Sequence, residues 1–442
     1  MTISIKPRER TAIIQSLNAG VVPRIGLHHI QVGRTDEIQA VLSDIAKIKD
    51  DCATIRFIIG RYGSGKSFFL NLSRTVALEQ KLVVTQADIT PDRRLHASNG
   101  QARQLYAELM HNMSTKAKPE GGAMVSIVEK WISDLDFTIR EEGKDHIEVT
   151  KSIYHKLKPL QDLVSGYDFA TVVAKYYEGY NSQNEVLQSS SIRWLSGEYS
   201  TKTEAYHDLG VRTIINDSTI YDYLKLWGSF VRMAGYQGIL INIDEMGVLS
   251  HRLNSSQARN ANYEMILRIL NDSLQGNVKN IGFMFAGIDE FLSDKRRGLM
   301  SYEALARRLS ENEFAQHGRK DYSGPVIHLE NLTPEDTYVL FHNIRNVYAF
   351  GDSEKYLIPN EGITAFMNYC AKTLGSEFYM TPGDSVKKFV GFLSVIEQNS
   401  QESWQEILNM LPKESNPKQD ETDSSELLLK DDDEDELVSM KL

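Results

Sequence analysis

From Thr54 to Leu70 the chain runs TIRFIIGRYGSGKSFFL. TIRFIIG (54–60) is β-branched and aromatic and is stopped by glycine, which predicts a buried strand. KSFFLNLSRTVALEQ (66–80) has the apolar spacing of a helix. Between them, Gly60-Arg-Tyr-Gly-Ser-Gly65-Lys66-Ser67 is a full GxxxxGKS. A loop that wraps a triphosphate must aim its backbone N–H groups inward, which needs glycines that tolerate positive φ and close approach. The helix starting at Lys66 adds its positive end. Lys66 would neutralise the β and γ oxygens, and the Ser67 hydroxyl would join a Mg²⁺ shell. The expected cradle is therefore Gly60, Tyr62, Gly63, Ser64, Gly65, Lys66, Ser67 and Phe68. A chance glycine-rich turn has no reason to lie between a strand and a helix.

Outward from this loop, KLVVTQADI (81–89), GILINIDE (238–245), NIGFMFAGI (280–288) and PVIHLENL (325–332) predict four more short apolar strands separated by helical patterns. Such strands belong to a parallel sheet covered on both faces, so the expected fold is α/β of the doubly wound, P-loop kind. GILINIDE ends in Asp244 and Glu245, and strand C-termini face the ligand crevice of a parallel sheet. Asp244 is expected to hold the Mg²⁺ shell with Ser67. Glu245 is the expected base that orients and deprotonates the attacking water, making the nucleotide ATP and the reaction hydrolysis. A kinase-type His-Arg-Asp loop is absent from the sequence. Asp289 can either sense the γ-phosphate or cap the helix that follows it. Arg296, Arg297, Arg307 and Arg308, just before the fifth strand, can reach a neighbouring subunit's γ-phosphate or form a solvated basic face. The former implies a homo-oligomer.

The pattern divides the chain into an N-terminal helix and loop (1–34), an ATPase core (35–332) interrupted by a tyrosine-rich helical insertion at about 97–230, a helical domain (333–412), and an acidic tail (413–442). Helices are expected over 7–19 and 35–48, with Thr333-Pro-Glu-Asp336 capping another. Gly33 and Arg34 in the loop before the second helix can back an adenine ring. His28 and His29 have no ligand partners at metal spacing and read as structural or exposed.

The formal charge is −11, of which −7 falls between Lys413 and Leu442, so bulk charge does not advertise a nucleic-acid binder. A local surface with Lys151, Lys156, Lys158, Arg193 and nearby tyrosines can grip a DNA strand, although a solvated face with core tyrosines is the commoner case. The tail lacks aromatics and is expected to be disordered. Hydrophobic residues make up 41% and charged residues 25%, a globular balance. No apolar run approaches the ~20 residues of a membrane span, and the start MTISIKPRERTAIIQ has no signal-peptide pattern. Two cysteines far apart, Cys52 and Cys370, suit a reducing cytoplasm.

Several stretches carry a family resemblance: GVVPRIGLHHIQVGR (20–34), FIIGRYGSGKSFFL (57–70), TQADITPDRRLH (85–96), WLSGE (194–198), GYQGILINIDEMGVLSHR (235–252), RNANYE (259–264) and MSYEALARRL (300–309). With its Val-Gly-Arg at 32–34, Asp-Glu at 244–245 and helices after the fifth strand, the chain resembles AAA+ ATPases. More narrowly it resembles the BREX-type ATP-binding proteins of bacterial phage-defence islands, especially BrxD-like members. The resemblance implies a C-terminal helical lid and a cytoplasmic ATPase acting on DNA with other defence components, a helicase among the expected partners. It also implies an arginine after the lid Thr-Pro; here Met380-Thr-Pro382 leads into Gly383-Asp384, and the next bases are Lys387 and Lys388. Lysine lacks the planar guanidinium fork, so lid closure and fast hydrolysis are weakened by that departure.

Overall fold

A computed structural model describes residues 5–161, 163, 166–315, 321–373 and 381–410. Met380 and the acidic tail lie outside the described residues. Five strands, β1 (Ala53–Ile59), β2 (Val83–Asp88), β3 (Ile239–Asp244), β4 (Ile281–Gly287) and β5 (Val326–His328), form one sheet in the order β2-β3-β4-β1-β5. Every pairing is parallel. Because side chains alternate across a strand, the apolar runs fill two cores. Ile55, Phe57 and Ile59 of β1 face one side with Ile239, Ile241 and Ile243 of β3. Ile58 and Leu240 face the other, against α2 (Thr35–Lys49) and α3 (Lys66–Glu79).

The first face is covered by the insertion, where the described residues form helices from Gln101–His111 to Ile220–Met233 and no named strand intervenes. Its bulk comes from aromatics: Trp227 lies edge-on to Phe169 and Phe230, and Tyr221 sets its ring 6.2 Å from Phe283 of β4. Insertion and sheet therefore share a continuous core. β5 is shorter than the apolar stretch around it, since it pairs with β1 only from Val326 to His328 at the sheet edge.

Helices Pro334–Tyr348, Asn360–Thr373, Pro382–Gln398 and Trp404–Met410 build a separate cluster around Phe341, Phe366 and Phe389, with Phe341 stacked on Phe389 at 4.4 Å. Thr333 caps the first of these by accepting from the Asp336 N–H at 3.0 Å, with Pro334 in the first turn. The N-terminal helix α1 (Pro7–Asn18) belongs to this cluster through Ile13. Arg10 of α1 donates to the Tyr348 carbonyl at 2.9 Å and to Glu397 at 2.8 Å. Among the described residues, no helix is long and apolar enough to cross a membrane.

Beneath β1, buried Arg56 meets buried Asp44 of α2 through two bonds, of 2.5 and 2.9 Å, and donates to the Tyr322 carbonyl at 2.7 Å and to that of Gly324. This ties α2, β1 and the approach to β5 together. Asp44→Ala leaves a guanidinium buried without its carboxylate, and is expected to cost about 3–5 kcal/mol of unfolding free energy. Denaturant titration reads this directly, and a loss below ~1 kcal/mol would show that Arg56 is satisfied by the carbonyls alone.

Candidate nucleotide site

β1 ends at Ile59; the Gly60 N–H still reaches the Gly287 carbonyl of β4 at 3.3 Å, and beyond it the chain turns. The turn closes with Ser64 N–H on the Arg61 carbonyl at 3.1 Å. Gly63 and Gly65 sit at φ 77° and 94°, in the left-handed region that side chains resist. Gly65 precedes α3, and a Cβ there would meet nothing within 4 Å, so the loop is open on that side. Lys66 aims its ammonium back across the loop, donating to the Gly60 and Arg61 carbonyls at 2.9 Å each. Tyr62 is exposed at the tip, whereas Phe68 packs against the C-terminal cluster.

At the end of β3, Asp244 accepts from the Ser67 hydroxyl at 2.6 Å through Oδ2 and from the Glu245 N–H at 2.8 Å through Oδ1. Two segments separated by 177 positions in sequence thus meet at the hydroxyl and carboxylate expected to face a metal. Glu245 takes φ 58°, a costly conformation for a non-glycine residue, where the chain swings from β3 into helix Gly247–His251. Its side chain remains accessible.

The electrostatics are lopsided. Burial pushes the Lys66 amine below its ordinary value, against the opposing pull of Asp244, Glu245, Asp289 and Glu290. Burial raises the Glu245 carboxyl, helped by the charges of Asp244 and Asp88. Asp88, register-paired with Asp244 at the end of β2, is raised by burial and by the Asp244 charge. Carboxylates gathered at three strand ends, with one lysine among them, favour a cation. No group of three or more His, Cys, Asp or Glu among the described residues is arranged to hold a metal unaided. A Mg²⁺ ion binds through one or two protein oxygens together with phosphates and water. Ser67 and Asp244 would be those oxygens.

The remaining expected residues are placed as follows. Gly33 lies near Asp336, while Arg34, at φ 61°, donates to the Ser64 carbonyl at 3.3 Å and the Glu330 carbonyl at 2.5 Å. Arg34 therefore straps the phosphate loop to the segment after β5. Asp289 is the first residue of helix Asp289–Ser293; the capping position belongs to Ile288, so the capping role is not the one Asp289 takes. Arg307 and Arg308 lie exposed on helix Glu303–Leu309, bonded to Glu303 at 2.5 Å and Asn271 at 2.7 Å. Arg297 is turned inward, donating to the Leu253 carbonyl at 3.0 Å. On the insertion, Lys151 pairs with Glu148 and Arg193 with Glu204, so two of the four bases proposed to face DNA are met by acids. His29 approaches Glu9 at 3.4 Å and holds the loop to α1.

Two contributors escape a sequence reading. Asp88 ends a strand in the ordinary way, and only its register with Asp244 brings it to the site. The start of helix Pro382–Gln398 rests on the phosphate loop: Gly383 N–H donates to the Gly63 carbonyl at 3.0 Å, and a Cβ on Gly63 would collide with Thr381. One turn further along that helix, Lys387 lies beside Gly20.

A family model described as "BREX system ATP-binding protein BrxC/D" matches residues 5–411. No curated protein matches the chain.

Proposed function

The chain belongs to the BREX system ATP-binding protein BrxC/D family, and on that footing we propose that it is an AAA+-type ATPase of a DNA-directed anti-phage defence complex. The observation that carries this is the Ser67–Asp244 bond with Glu245 immediately beyond it. It joins a triphosphate cradle to a carboxylate pair of the kind hydrolysis needs. The backbone amides of residues 63–67 and the Lys66 ammonium would hold the β and γ phosphates. Ser67 and Asp244 would hold a Mg²⁺ ion, which would supply charge neutralisation at the phosphate oxygens. Glu245 would take the proton of the attacking water, its raised proton affinity suiting a base. Arg307 or Arg308, both exposed, would complete the site of a neighbouring copy, making the active form a homo-oligomer.

In this proposal residues 35–332 form the ATPase core and 333–412 the lid, preceded by the segment 1–34 and followed by the tail from 413. The protein would work in the cytoplasm as a remodeller or loader for a helicase or another DNA-processing partner. One observation favours a second reading, a slow nucleotide-gated assembly switch: the lid helix presents Gly383 to the loop, with Lys387 directed to Gly20. ATPase rates measured with and without duplex and single-stranded DNA separate the two. The remodeller is expected to show stimulation of about tenfold or more, within the range that completing a catalytic constellation supplies. ATP-dependent oligomerisation with no stimulation by either DNA would support the switch instead.

A further inference from the structure

β3 is apolar along its buried length, Ile239, Leu240, Ile241 and Ile243, except for Asn242, which is fully buried. Its side chain lies on the same face of the strand as Asp244, two residues on. From there the Asn242 amide donates to the Leu70 carbonyl of α3 at 3.2 Å. Leu70 is one helical turn beyond Ser67, so it shares a face of α3 with that residue. The Asn242–Leu70 and Ser67–Asp244 bonds are therefore two consecutive rungs between the same strand and the same helix.

The lower rung has a cost. Asn242 Oδ1 finds no hydrogen-bond partner among the described residues, and neither does Oε1 of Gln86, its register partner on β2. A buried acceptor without a partner destabilises a fold more than an apolar side chain of the same shape. A leucine or valine would serve the core better, so packing does not explain the asparagine.

We propose that Asn242 is a positioning residue, which fixes the separation of β3 and α3 so that the Ser67 hydroxyl and the Asp244 carboxylate are presented together to a phosphate-bound divalent cation. This rests on the nucleotide-site reading above. Asn242 touches neither phosphate nor metal; it acts through the two groups it aligns. An amide supplies what an aliphatic side chain cannot, a directional bond to one carbonyl of the helix.

The test uses the full-length protein, Asn242→Leu, and Asn242→Val should leucine overpack the site. Binding of a fluorescent ATP analogue is titrated in EDTA and across a Mg²⁺ series, and thermal unfolding is followed without nucleotide. The expected result is a rise of about fivefold or more in half-saturating Mg²⁺, the size of one net hydrogen bond, with EDTA affinity within about twofold of wild type. The unfolding midpoint should be unchanged or higher. A Mg²⁺ dependence identical to wild type would overturn the proposal. So would a parallel fall in both affinities with a lowered midpoint, which is the mark of a merely structural residue. Wild-type protein that fails to bind the analogue at all would overturn the nucleotide-site reading and this inference with it.

Discussion

Lys66→Ala is expected to lower ATP affinity by roughly 10²–10³-fold while leaving the fold intact. The magnitude follows from removing the ammonium that would meet the β and γ phosphate oxygens, since losing one member of a hydrogen-bonded charge pair at a desolvated site costs about 2–5 kcal/mol. Burial already pushes the Lys66 amine towards its neutral form, and the nearby carboxylates hold its proton in place. A tetraanionic ligand would strengthen that hold. In the protein alone the Lys66 bonds among the described residues are to the buried Gly60 carbonyl and the exposed Arg61 carbonyl, and water can take the donor's place at the latter. Isothermal titration of ATP into the variant checks this. An affinity within about twofold of wild type would remove Lys66 from the site, because even a single charged hydrogen bond exceeds that.

Glu245→Gln separates binding from chemistry. Glutamine keeps the shape and the backbone N–H that bonds Asp244, and it bears the φ of 58° no worse than glutamate. ATP should therefore bind, whereas turnover should fall by about 10²–10⁴, the usual contribution of a positioned general base. The wild-type kcat/KM, which reports the free enzyme, should also show an acid limb above the ordinary glutamate range, since burial and the neighbouring Asp244 and Asp88 charges favour the protonated carboxyl. As pH falls through that raised value the base is lost, and the limb should be missing from the residual rate of the variant. Steady-state phosphate release across pH reads both effects. Brisk hydrolysis by the glutamine variant would move the role of base elsewhere, with Asp88, paired in register with Asp244 on the neighbouring strand, the first candidate.

The glycine-rich turn between strand and helix, and the strands themselves, were legible because each rests on local chemistry. Runs such as FII and LINI can only be buried, and glycines at 60, 63 and 65 leave few conformations for the loop. The strand ends fell within a residue or two of expectation except at β5, where the edge position shortened the pairing to three residues. What stayed hidden depends on contacts between distant segments. Nothing in PRERTAIIQSLN says that Ile13 will sit with Phe341 and Phe389 instead of on the sheet. Arg34 belongs to a stretch that suggested an adenine contact, yet its guanidinium bonds two carbonyls, of Ser64 and Glu330, a role that no residue type announces. Lys151 and Arg193 look free in sequence because Glu148 and Glu204 lie a helical turn away or on another helix.

The contact between Gly383 and Gly63 bears on how short a working version of this protein can be. A fragment cut to begin at Thr35 would keep every loop residue and both acids, but would strip Ile13 and Arg10 from the helices that carry Gly383. Their exposed aromatic faces would have to find another cover or come apart, and the phosphate loop would lose its roof. In the described residues the first eighteen positions are therefore coupled, through the helices they pack on, to the turn at Gly63.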